Sequence, residues 1–103
     1  MELYQLRTFV AVAEEGILSR AAERLFTSQS AVSAQIKALE EEFGLKLFER
    51  TPAGMVLTAA GEALSDQAER LLAASRDLSL QAAALKGTVS GNLRLGLNNP
   101  ARL

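Results

Sequence analysis

Cysteine and histidine are both missing from the 103 residues. Their absence excludes a disulfide framework and a Cys/His zinc site. A cysteine nucleophile and a histidine general base are excluded with them. Tryptophan is absent and aromatics are few, four Phe and one Tyr, so the sequence predicts an aliphatic core. No apolar run approaches the roughly 18 residues of a membrane span. The opening Met1-Glu2-Leu3-Tyr4-Gln5 has no basic stretch and no long apolar one, so no signal peptide is expected. The reading is a cytoplasmic protein with no membrane partner. An excess of positive charge is missing too. Eleven Lys and Arg face twelve Asp and Glu, a formal net charge of −1. The simplest mark of a nucleic-acid binder, a strongly basic domain, is therefore not there.

What is present is alanine and leucine, 18 of each, in a chain 49% hydrophobic and 22% charged. That is the composition of a globular, mostly helical protein of about one domain. Leu3, Leu6, Phe9, Val10 and Ala13 line one face of a first helix that Gly16 ends. A short second helix starts at about Ser19, which is read as its N-cap, with Leu18, Ala21, Ala22 and Leu25 on its apolar face. Phe26-Thr27 makes a tight turn. A third helix has Ser28 as N-cap and runs to Phe43, stopping at Gly44; Val32, Ile36, Leu39 and Phe43 form its apolar stripe. Two short extended pieces, residues 46–50 and 55–57, are joined by Thr51-Pro52-Ala53-Gly54. Thr58 caps a fourth helix read to Lys86 and ended by Gly87. Its length, roughly 40 Å, exceeds what a domain of this size can cover. Leu93, Leu95 and Leu97 alternate as in a strand, which predicts the opening of a further domain.

The second and third helices outline a helix-turn-helix. A helix that enters the major groove, about 12 Å wide, needs an apolar face to seat it and a small or hydrogen-bonding face to present. It must also keep carboxylates away from phosphates. Ser30, Ala34 and Lys37 lie opposite the Val32 stripe, flanked by Gln29 and Ser33. Six of the nine residues from Thr27 to Gln35 are Ser, Thr or Gln. From Arg24 to Leu39 there are two positive charges and no acid; the acids resume at Glu40, Glu41 and Glu42. Those three have two readings, an acidic end turned away from a polyanion or an ordinary solvated face. Arg50, at the base of the hairpin, either reaches a phosphate or makes a surface salt bridge. With the hairpin as a wing, the fold expected is a mainly α winged helix-turn-helix followed by a long dimerisation helix.

That helix carries a second pattern. Leu64, Ala68, Leu71, Ser75, Leu78, Ala82 and Leu85 are spaced alternately 4 and 3 apart, the repeat of a left-handed coiled coil. Leucine alternates with a small residue along the seam. An antiparallel pair sets each leucine against a small residue and fills every layer evenly. The expectation is a homodimer through an antiparallel pair of these helices; the alternative is a seam packed within its own chain. Leu72 and Leu80, off the seam, either widen the interface or face a further domain.

In ordered blocks the chain resembles the LysR-type bacterial transcriptional regulators. The blocks are Leu3-Tyr4-Gln5-Leu6-Arg7-Thr8-Phe9-Val10-Ala11-Val12-Ala13, Arg20-Ala21-Ala22-Glu23-Arg24-Leu25, Thr27-Ser28-Gln29-Ser30-Ala31-Val32-Ser33, Ile36-Lys37-Ala38-Leu39-Glu40, and Gly44-Leu45-Lys46-Leu47-Phe48-Glu49-Arg50. Leu57-Thr58 with Gly61, and Gly91-Asn92-Leu93-Arg94-Leu95-Gly96, complete the likeness, which covers essentially the whole chain. The resemblance implies a winged helix-turn-helix at residues 1–57, a linker helix at 58–87, and at 88–103 a hinge with the first strand of an effector-binding domain. It implies duplex DNA as partner, dimers that become homotetramers in the full-length protein, and a small-molecule effector bound only by the absent domain. Base contacts then fall to Ser28, Gln29, Ser30, Ser33 and Ala34, with Thr27 beside them and Lys37 one turn on. Phosphate contacts fall to Arg50 and Thr51. Ala34 stands where many members carry Arg, and Ala53 stands in a wing that is often basic. Weak base readout and reliance on joined heads follow. No cofactor is expected, and no enzyme activity. The competing class is a winged-helix protein–protein module with an oligomerisation helix.

Overall fold

The computed structural model describes residues 1–95, with side chains to residue 87. The elements in order are α1 (Leu3–Glu15), α2 (Leu18–Arg24), α3 (Gln29–Phe43), β1 (Phe48–Thr51), β2 (Gly54–Leu57) and α4 (Ala59–Leu95). Among the described residues no helix is long and apolar enough to cross a membrane. Two compact units are present, Met1–Leu72 and the chain from Ala73 onward.

Most boundaries follow local chemistry. Gln5 accepts the Glu2 amide at 2.9 Å at the start of α1, and Gly16 ends the helix at φ 75°. The Ser28 hydroxyl accepts the Ala31 amide at 3.1 Å, and Gly44 closes α3 at φ 67°. Thr58 caps α4 as expected, accepting the Gly61 amide at 3.0 Å through its hydroxyl and the Glu62 amide at 2.9 Å through its carbonyl. Ser19, however, is not a cap. The connection from α1 is so tight that Ile17 is the N-cap of α2, its carbonyl taking the Ala21 amide, and Ser19 lies one residue inside the helix.

The first unit buries Leu6, Phe9, Val10 and Val12 from α1, Leu18, Ala21 and Ala22 from α2, and Val32, Ile36 and Leu39 from α3. Its centre is not purely aliphatic. Phe9 and Phe48 meet edge-to-face, ring centroids 5.6 Å apart, and both are buried. Such a pair adds about 0.5–1.5 kcal/mol beyond the area it buries.

The hairpin is antiparallel, with Phe48 opposite Leu57 and Arg50 opposite Met55. Its first strand begins later than the sequence suggested. Lys46 and Leu47 are used instead to anchor the next helix, through Thr58 Oγ1 to the Lys46 carbonyl at 2.6 Å and the Thr58 amide to the Leu47 carbonyl at 3.0 Å.

The start of α4 is core, not free surface. Ala68 and Leu72 are buried and Leu64 packs against them. Two residues of the expected dimer seam, Leu64 and Ala68, are thus taken up by their own chain, as is Leu72. The compact unit therefore extends to Leu72, beyond residue 57.

In the second unit Leu78 and Leu80 are each 69% exposed and Leu85 42%. Ser75 is half-buried and Ala82 exposed. Helix α4 runs through Gly87 to Leu95, where the sequence reading ended it near Lys86 and placed a strand from Gly91. Gly87 does not take the positive φ that makes a glycine a stop. A lone strand among the described residues has no partner for its amides and carbonyls, and a helix satisfies them locally. The remainder of the expected strand, with Leu97, lies outside the described residues.

Candidate nucleic-acid interface

Helix α3 is seated by the stripe the sequence indicated: Val32, Ile36 and Leu39 are buried. The Thr8 hydroxyl of α1, itself buried, lies against both the Tyr4 carbonyl and the Gln35 side-chain amide. The opposite face is presented outward. Thr27, Ser28, Gln29, Ser30, Ala34 and Lys37 are exposed, and Ser33 is half-buried.

The wing is held against this helix by polar contacts that periodicity does not reveal. The Glu40 carboxylate accepts the Leu47 amide at 2.8 Å and the Phe48 amide at 3.3 Å. The Met55 amide donates to the Gly16 carbonyl at 2.7 Å, tying β2 to the turn between α1 and α2. Gly54, at φ 131°, sits so close to Gly16 that a Cβ there would collide with the Gly16 carbonyl oxygen. Glu40 is therefore neither a charge turned away from a polyanion nor a solvated one; it anchors the wing. Glu42 pairs with the Met1 ammonium at 3.0 Å.

One groove between α3 and the wing is lined by Ser33, Lys37, Lys46, Arg50 and Met55, with Glu40 and Glu41 at the C-terminal end of α3. A second is lined by Ser19, Gln29, Arg50 and Thr51. Arg50 borders both, with Ser33 and Lys37 in one and Gln29 and Thr51 in the other; of the remaining expected residues, Thr27, Ser28, Ser30 and Ala34 line neither groove. Among the described residues Arg50 has no carboxylate within ion-pair distance. Thr51 is placed differently. Its hydroxyl donates to the Gly54 carbonyl at 2.8 Å and accepts the Ala53 amide at 3.2 Å, so it shapes the wing turn. Ser19, read from the sequence as a cap, joins the site instead; the signal was its place in the first turn of α2.

The local charge is smaller than the sequence implied. Arg24 is held by Glu14 at 2.8 Å and Glu15 at 3.3 Å. The Glu14 hydrogen bond raises its pKa above the ordinary value and spends its charge inside the head. Lys37, Lys46 and Arg50 remain as the cations of the groove between α3 and the wing.

A seated helix whose outward face carries no acid before Glu40, with a wing docked beside it, defines a winged helix-turn-helix protein. The sequence profile of the bacterial regulatory helix-turn-helix proteins of the lysR family matches residues 3–62. The chain belongs to this family. It is 47% identical over 95 residues to the transcriptional regulator TfdT of Cupriavidus pinatubonensis, covering 92% of this chain and 42% of TfdT. The crystal structure of CbnR, a LysR family transcriptional regulator, superposes with a TM-score of 0.79 at 42% identity, over 82% of this chain and 29% of CbnR. A crystal structure of the CbnR DNA-binding domain in complex with DNA superposes with a TM-score of 0.74 at 44% identity, over 82% of this chain and 99% of that one. The chain thus spans less than half the length of TfdT and of full-length CbnR.

Proposed function

We propose that this chain is the DNA-binding and dimerisation portion of a transcription regulator, with no catalytic role, acting in the bacterial cytoplasm. The observation that carries the reading is the exposed N-terminal part of α3, which holds no carboxylate from Gln29 to Leu39 and lies beside Arg50. Placed in the major groove, Gln29 offers its amide to adenine and Ser30 and Ser33 their hydroxyls; Ala34 offers only a methyl contact to thymine. Ser28 keeps a donor proton after capping α3. Lys37 and Arg50 meet phosphates, with Thr51 fixing the wing turn between them and the duplex. The CbnR DNA-binding domain, solved with DNA, supports this use of the fold.

Homodimerisation is proposed through an antiparallel pair of α4 helices. With Leu64 and Ala68 spent on the core, the seam left for the partner is Leu71, Ser75, Leu78, Ala82 and Leu85. Leucine meets a small residue when Leu71 faces Ala82 and Ser75 faces Leu78. The full-length protein is proposed to form tetramers and to bind a small-molecule effector in a domain beyond this chain.

The test is footprinting and binding on the DNA upstream of its own gene. Ser33→Glu puts a carboxylate in the groove and is expected to abolish protection while the thermal midpoint holds. Unchanged binding by Ser33→Glu would remove α3 as the reading element.

A further inference from the structure

The outward face of α3 has two flanks, and only the wing flank has been given a phosphate contact. Ser33 and Gln35 lie about 160° apart around the helix. Ser33 opens toward the wing groove with Arg50. Gln35 opens toward a different groove, lined by Tyr4, Arg7, Thr8, Leu25 and Thr27. Arg7 is exposed there. Among the described residues no carboxylate stands within ion-pair distance of it, in contrast to Arg24. The neighbouring Thr27 amide is spent on the Ala22 carbonyl at 2.9 Å, and its exposed side chain keeps a hydroxyl to offer. The Gln35 side chain is engaged by Thr8. What this groove presents is a guanidinium and a hydroxyl, donor groups that suit a phosphate oxygen.

We propose that Arg7, with Thr27, grips a DNA phosphate on the flank of α3 opposite Arg50, so that the reading helix is clamped between two backbone contacts. The inference rests on the DNA-reading function proposed above. A helix in the major groove lies between two phosphate strands, and a contact to only one of them leaves its tilt unset. Arg50 serves one strand and Arg7 the other. With alanine at position 34, such sequence-independent contacts carry a larger share of the affinity.

The test titrates the full chain with a duplex from the region upstream of its gene and with an unrelated duplex, across a range of salt. Arg7→Ala is expected to weaken both by the same factor. It should lower the log–log salt slope by about 0.9 for each bound head. The affinity penalty then grows about eightfold per bound head for each tenfold drop in salt. Arg7→Lys keeps a point charge and should keep the slope. A merely structural role would lower the thermal midpoint and leave the slope alone, so the midpoint of Arg7→Ala is expected to hold. An unchanged slope in Arg7→Ala, while the unaltered chain still binds, overturns the clamp alone. A loss confined to the upstream duplex also overturns it, by making Arg7 a base reader. Failure of the unaltered chain to bind either duplex overturns the DNA-reading function, and the clamp with it.

Discussion

Phe26 is where side chain and backbone disagree most. It is 94% exposed and holds φ 56°, the only non-glycine residue with positive φ among those described. The geometry around it is a glycine-type helix end. The Thr27 amide reaches the Ala22 carbonyl and the Phe26 amide reaches the Glu23 carbonyl, which is the Schellman pattern with phenylalanine at the left-handed position. Asparagine adopts that conformation at less cost, and the exposed ring gives up no packing. Phe26→Asn is therefore expected to raise stability by roughly 1 kcal/mol, read as a higher urea midpoint at unchanged slope. A fall in the midpoint would mean the ring has a partner in solution. The turn itself was legible in the sequence, but its handedness was not, because no glycine marks it. Glu40 failed to announce itself for a related reason: which carboxylate meets a strand's amides depends on where the strand returns, not on its own neighbours in sequence.

At the scale of elements, the join between wing and α4 leaves no room for a side chain at Gly61. A Cβ on Gly61 would collide with the Leu47 carbonyl oxygen and come within 2.8 Å of Leu57 Cδ2. Gly61→Ala therefore gains helix propensity but must push α4 off the hairpin, a net loss expected at about 1–3 kcal/mol. Gly87 is the control in the same helix, with nothing within 4 Å of its Cβ position. Gly87→Ala should stabilise by up to about 1 kcal/mol, and thermal melts of the two variants should move in opposite directions. The helices, the Ser28 and Thr58 caps and the hairpin were all legible, because apolar period and capping chemistry act over a few residues. Ser19 misled because a hydroxyl near a helix start is a cap only if the incoming chain leaves room, and the turn at Gly16 does not. Gly87 misled because glycine ends a helix only by taking the left-handed conformation. The 3.5-residue period of α4 was legible, but a period does not say what packs on it; Leu64 and Ala68 went to the head.

At the scale of the whole molecule, the proposed dimer has a direct readout, since the chain has no cysteine of its own. In an antiparallel pair Leu71 and its own copy are about 16 Å apart along the helix, beyond the reach of a disulfide, while Leu71 and Ala82 meet. Mild oxidation of mixed Leu71→Cys and Ala82→Cys chains should give mostly the mixed species. Dominant Leu71→Cys homodimers would show a parallel pair. The near-zero net charge also takes its meaning at this scale, because acids balance the cations largely without pairing to them: among the described residues Arg24 is the one side-chain cation in an ion pair. On the function proposed above, a head of near-zero net charge gains from every linked copy. The Glu40 anchor sets one more property. It fixes the span from Gln29 to Arg50 before any duplex arrives, so the head acts as a calliper of set opening. A duplex whose groove does not match that opening must itself deform. The ease with which pyrimidine–purine steps yield then becomes part of what the head selects, at base pairs it never touches.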